Sequence, residues 1–130
     1  MQNRWQRAKA RPRSVLGQMN KTEAAYAEVL SERILLGEIA GYQYEPLKLR
    51  LADNTFYTPD FMVQTSGGEI EFHEVKACMS SGKMLCEDDA KVKIKVAAEA
   101  FPMFGFVMAG KLPKKAGGGW KFIGYGGGGE

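Results

Sequence analysis

The sequence predicts an α/β layered domain with a mixed sheet, and three features of its 130 residues support this. Two segments carry apolar residues at helical spacing, several short segments alternate apolar and polar residues or run apolar, and turn residues separate them in the order helix, three strands, helix, strand. A length of 130 residues suits one domain with a single core, and a hydrophobic share of 45% lies in the globular range. No apolar run approaches the roughly 20 residues of a membrane-spanning helix. Nor does the basic, polar start at 1–13 resemble a secretory signal, so a cytoplasmic, non-membrane protein is expected.

Residues 1–19 form a basic arm broken by Pro12 and Gly17, residues 20–125 form the domain, and 126–130 are a Gly-rich tail. The first helix is expected from Lys21 to Leu36, because Asn20 is a good N-cap and Glu23 stands where a capping box needs it. Glu23, Ala27, Leu30 and Ile34 make its inner stripe, and Gly37 and Gly41 end it and start a turn. Tyr44 to Leu51 alternates as a strand with one wet face, and Asp53-Asn54 turns it back into a strand from Thr55 to Val63. Pro59 inside that second strand implies an edge or a bulge.

After Ser66-Gly67-Gly68, a third strand runs from Glu69 to Ala77 with Phe72, Glu74 and Lys76 on one face and His73 and Val75 on the other. A loop follows to residue 87, then a helix from Asp88 to Phe101 with Ala90, Ile94, Ala97 and Phe101 inward. Phe104 to Ala109 reads as a buried strand, Lys111 to Gly119 as a flexible connection, and Trp120 to Tyr125 as an edge strand. Cys78 and Cys86 read as reduced thiols, and a lone His73 completes no zinc cluster. His73, facing away from Glu74, is expected to be structural.

Chemistry is concentrated where two neighbouring strands carry Asp60 and Glu74. Antiparallel neighbours lie about 5 Å apart, so a suitable register pairs the two carboxylates. Such a pair repels unless a cation stands between, and oxygen ligands suit Mg2+, with Mn2+ as a substitute. Asp60, Glu74 and the Val75 carbonyl are the expected metal ligands, and Lys76 is expected to serve an attacking water at a phosphate. The positive charge is uneven: Arg4, Arg7, Lys9, Arg11, Arg13 and Lys21 all precede Glu23, the first acid. That bias suits phosphate neutralisation and equally suits a solvated tail. Lys83, Lys91 and Lys95 are further candidates for nucleic-acid contact, with a solvated helix face an equal account of the two on the helix.

Pro59-Asp60 on one strand, with Glu74-Val75-Lys76 on the next, resembles the PD-(D/E)XK nuclease superfamily. The resemblance covers about residues 20–110 and implies a restriction-endonuclease-like core: helix, three-stranded meander, helix, strand. Asn20-Lys21-Thr22-Glu23, Gly37-Glu38-Ile39 and Tyr57-Thr58-Pro59-Asp60-Phe61 look like small phage-encoded endonucleases related to Holliday junction-resolving enzymes. It implies magnesium-dependent cleavage of DNA, branched DNA among the substrates, a homodimer where two coordinated cuts are made, and Glu23 completing the metal site. Two rivals stand beside it: a nucleic-acid-binding module on the same scaffold without turnover, and a protein-interaction domain with no nucleic-acid partner.

Overall fold

A computed structural model describes residues 19–85 and 88–126. The expected DNA contacts Arg4, Arg7, Lys9, Arg11 and Arg13 lie outside these residues, as does the tail at 127–130. The chain is an α/β domain with two α-helices, a mixed five-stranded sheet and a separate two-stranded hairpin.

Helix α1, Lys21–Leu35, starts where its sequence dictates. The Glu23 N–H donates to Asn20 Oδ1 at 2.8 Å and the Asn20 N–H to Glu23 Oε1 at 3.1 Å, so two otherwise orphaned donors are satisfied reciprocally. It stops at Gly37, whose φ of 78° is open to a residue without Cβ. The Gly37 N–H then reaches Ile34 O and the Glu38 N–H reaches Arg33 O, closing the last turn as a Schellman motif. The buried face carries Tyr26 as well as Ala27 and Leu30.

Gly41 does not extend the turn after α1. It lies within strand β1, Ile39–Tyr44, where Ile39, Tyr42 and Tyr44 are buried. The register shifts between Ile39 and Gly41, so this glycine marks a bulge in a strand rather than a reversal. The single strand expected from Tyr44 to Leu51 is therefore two elements, β1 and β2 (Leu49–Ala52). β2 turns at Asp53-Asn54 into β3, Thr55–Tyr57, as the turn residues predict, with Asn54 at a φ of 55°.

The strand expected from Thr55 to Val63 is likewise divided. Pro59 has no N–H for a ladder, and around it the chain leaves the hairpin and enters β4, Phe61–Thr65, in the other sheet. β4 returns through a turn at Gly68 as β5, Ile70–Ala77. Helix α2, Asp88–Ala100, carries the chain over to β6, Gly105–Lys111, which pairs parallel to β5. The expected flexible connection is partly regular, since β6 runs on to Lys111 and a 3-10 turn occupies Lys114–Ala116. β7, Trp120–Tyr125, closes the edge antiparallel to β6. The sheet order is β1-β4-β5-β6-β7, so its meander is β1, β4 and β5, with the β2-β3 hairpin inserted between the first two.

Each sheet face has its own core. α1 packs on Tyr42, Phe61, Val63, Val75 and Ala109, while α2 and the hairpin cover Met62, Phe72, Phe106 and Met108 with Ile94, Ala97, Leu49 and Tyr57. Among the described residues no helix is long and apolar enough to cross a membrane. Ile94 is fully buried in the second layer, and truncation there removes contacts that the rigid sheet cannot close over. Ile94→Ala is expected to cost about 2–4 kcal/mol in urea unfolding, with the denaturant slope unchanged.

Candidate active site

The β4/β5 ladder ends at the pair Phe61 and His73, and Asp60 and Glu74 stand one step beyond it. From there the two strands part. β5 goes on pairing with β6 as far as Ala77, whereas the chain before Asp60 has already turned toward the hairpin. The fork leaves the Val75 N–H without a backbone partner on β4, and the Asp60 side chain takes it, Oδ2 accepting at 2.8 Å. The Asp60 carbonyl accepts from the Glu45 N–H at 2.7 Å on the opposite side. Asp60 is thus fixed by backbone to the β1 side and by side chain to β5.

Glu74 is only 8% exposed and points to the face under the hairpin. The break at Pro59 brings Tyr57 over this face, and its hydroxyl donates to Glu74 Oε1 at 2.8 Å. Lys76, two residues on and on the same side of β5, places Nζ 3.6 Å from Glu74 Oε2. Asp60, Glu74 and Lys76 therefore meet as the motif spacing predicts. Val75 contacts the site through its amide N–H, which donates to Asp60.

Glu23 sits in the first turn of α1 with Oε1 accepting from the Asn20 N–H and from the Tyr44 hydroxyl at 2.9 Å. Its charge still acts on the pair, raising the pKa of both Asp60 and Glu74. Among the described residues no three His, Cys, Asp or Glu side chains gather as a formed metal cage. Glu23 is engaged by Asn20 and Tyr44 and lends its charge to the Asp60 and Glu74 pair.

The pair is short of positive charge. Burial, then the neighbouring Glu74 charge, push the Asp60 carboxyl up to about 8, against the lowering pull of the Val75 N–H and Lys76. Burial also raises Glu74, opposed by the Tyr57 hydrogen bond and by Lys76. One ammonium faces two desolvated carboxylates, so a proton or a cation is needed to complete the balance. Burial and the Glu74 charge raise Tyr57, which keeps its proton and stays a donor. The oxygen-only donor set of Asp60 and Glu74 is of the type that hard divalent ions take, and in that respect the residues fit Mg2+ or Mn2+.

His73 is structural, as its strand position predicts. It is 2% exposed on the α1 side, with Nδ1 2.6 Å from the Tyr26 hydroxyl and Nε2 2.9 Å from Glu71 Oε1. Lys83 is exposed in the loop after β5, and Lys91 and Lys95 are exposed on α2. The sequence pattern singled out neither the Tyr57 nor the Tyr44 hydroxyl as part of the site. Each hydroxyl contact spans strands whose pairing no local pattern announces, and only the Pro59 break hinted that Tyr57 leaves its neighbour's sheet. The chain matches no family model, no curated protein and no solved structure.

The sign of the pH effect follows from the raised Asp60 pKa. The folded state binds the Asp60 proton more tightly than the unfolded chain does, so this contribution is fully present below about 4 and is lost as pH rises toward about 8. Asp60→Asn keeps an oxygen for the Val75 N–H and cannot ionise. In urea unfolding without divalent metal, the variant is expected to gain on the wild type by one to a few kcal/mol between about pH 4 and pH 8. A constant difference across that window would contradict the charge imbalance.

Proposed function

We propose that this chain is a divalent-metal-dependent endonuclease that hydrolyses DNA phosphodiester bonds at Asp60, Glu74 and Lys76. One observation carries the reading: a buried carboxylate, Glu74, and a partly buried one, Asp60, at a strand fork, under-compensated, with an ammonium 3.6 Å from Glu74. The order α1, meander, α2, β6 supports a restriction-endonuclease-like core, as the PD and ExK residues imply.

Asp60 and Glu74 would hold Mg2+ or Mn2+, which when bound supplies Lewis-acid polarisation of a phosphate. The chain's own residues supply the rest. The Val75 N–H fixes the Asp60 carboxylate, and the Tyr57 hydroxyl fixes Glu74, so neither must reorganise when substrate arrives. The Lys76 ammonium orients a water toward phosphorus and offsets the charge that builds on the phosphoryl oxygens. Glu23 adds negative charge that favours a cation over a proton at the pair.

Branched DNA, including four-way junctions, is the substrate class to test first, and paired incisions there would require a homodimer. A nucleic-acid-binding module without turnover draws on the exposed Lys83, Lys91 and Lys95, which could hold phosphates without the carboxylate pair. Nicking of supercoiled plasmid and of a labelled junction in Mg2+ separates the two. The wild type is expected to cut, with Asp60→Ala, Glu74→Ala and Lys76→Ala each at least about 100-fold slower and still bound to DNA. Undiminished cutting by the triple variant would reject the assignment.

A further inference from the structure

Between residues 100 and 126 the only charged side chains are Lys111, Lys114, Lys115 and Lys121. All four are exposed, and none takes part in the ion pairs of the described residues, which involve Arg33, Arg50, His73, Lys76 and Lys93. The sheet register brings them to the candidate site. Lys76 pairs with Gly110, and Gly110 with Lys121, so Lys76 and Lys121 share a row and a face with Cα atoms about 10 Å apart. The next row, Ala77, Lys111 and Trp120, belongs to the opposite, α1 face at the very end of the sheet, and the 3-10 turn with Lys114 and Lys115 follows directly. Lys121 Nζ also donates to Gly82 O at 3.0 Å, which ties the loop carrying exposed Lys83 to the same edge.

We propose that Lys83, Lys111, Lys114, Lys115 and Lys121 form a ledge that takes the phosphate backbone of duplex DNA beside Asp60, Glu74 and Lys76. The proposal rests on the nuclease reading and gives its substrate a side of approach, from the carboxyl ends of β5 and β6. Charge complementarity carries it. Five ammonium groups without an acidic partner among the described residues gather at one sheet end, more than the chain's whole net charge of +3, with no acid on β6, β7 or their connection. Gly117, Gly118 and Gly119 lie among them, and a Cβ at any of the three would meet nothing within 4 Å, so a sugar-phosphate chain finds an open surface. Helix α2, whose Lys91 and Lys95 were candidates from sequence with a solvated face as an equal account, is a poorer track, because Asp89 and Glu99 flank its lysines and Lys93 lies 4.0 Å from Asp89. A phosphate polyanion gains from a sheet end whose charges are all of one sign, through release of its counterions.

The test compares wild type with Lys111→Gln/Lys114→Gln/Lys115→Gln/Lys121→Gln and with Lys91→Gln/Lys95→Gln. Binding of a fluorescent duplex is followed in EDTA between about 50 and 200 mM salt. Gln at 121 keeps a donor for Gly82 O. The fourfold variant is expected to lower the steepness of log K against log salt by about 3 to 4 and to weaken binding at least about tenfold at 100 mM, with the α2 variant near wild type. Should the fourfold variant misfold, Lys114→Gln/Lys115→Gln on the exposed 3-10 turn is expected to lower the steepness by about 2. An unchanged slope in a folded ledge variant, or no wild-type binding in EDTA, overturns the ledge. Plasmid nicking in Mg2+ distinguishes the two failures: a wild type that cuts while the slope is unmoved loses only the ledge, and one that binds through the ledge without cutting loses only the nuclease reading.

Discussion

The hydrogen bond from the Val75 N–H to the Asp60 carboxylate organises the site, because it occupies the point where β4 and β5 part. An antiparallel pair that separates leaves N–H groups without partners on the strand that continues, and a buried orphan of that kind costs about 1–3 kcal/mol. Here the satisfying acceptor is a side chain that also carries charge. The same contact that closes the end of the ladder thus brings a carboxylate beside Glu74, and Pro59, which ends the preceding strand, makes the fork necessary.

The fork sets the electrostatics as well. Burial beneath the β2-β3 hairpin strips water from Glu74, while Tyr57 and Lys76 return only part of the lost stabilisation. Two neighbouring carboxylates with one ammonium are stable as a protonated pair or with an added cation, and a fold that only needed stability would gain from an apolar replacement. The proposed function accounts for such a group at the open end of a sheet, rimmed by lysines. Acid residues gather at the fork and basic ones around it, and the proposed nuclease reading rests on this arrangement.

Local signals made much of this readable from sequence. The capping box of Asn20 and Glu23, the turn at Asp53-Asn54 and the alternating faces of β5 depend on residues close in the chain, and each is found as expected. Asp60 and Glu74 were legible because a tight turn joins β4 to β5. Gly41 misled because a glycine's freedom serves a bulge as readily as a reversal, and Pro59 was placed inside a strand that it ends. The contacts of Tyr57 with Glu74 and Tyr44 with Glu23 depend on how the inserted hairpin and β1 lie over other elements, which periodicity does not encode. The lysines of the β6–β7 connection escaped notice for a related reason: only the parallel crossover through α2 brings them beside Lys76.

The central claim is that Asp60 is a partly buried carboxyl, set beside buried Glu74, that lacks a full countercharge. Carbon-13 NMR titration of its side-chain carboxyl, assigned by comparison with Asp60→Asn and run with and without Mg2+, tests this directly. The account predicts a midpoint near 8 without the ion, falling by several pH units when the ion is present. A midpoint near the ordinary aspartate value of about 4 that does not move with Mg2+ would contradict it.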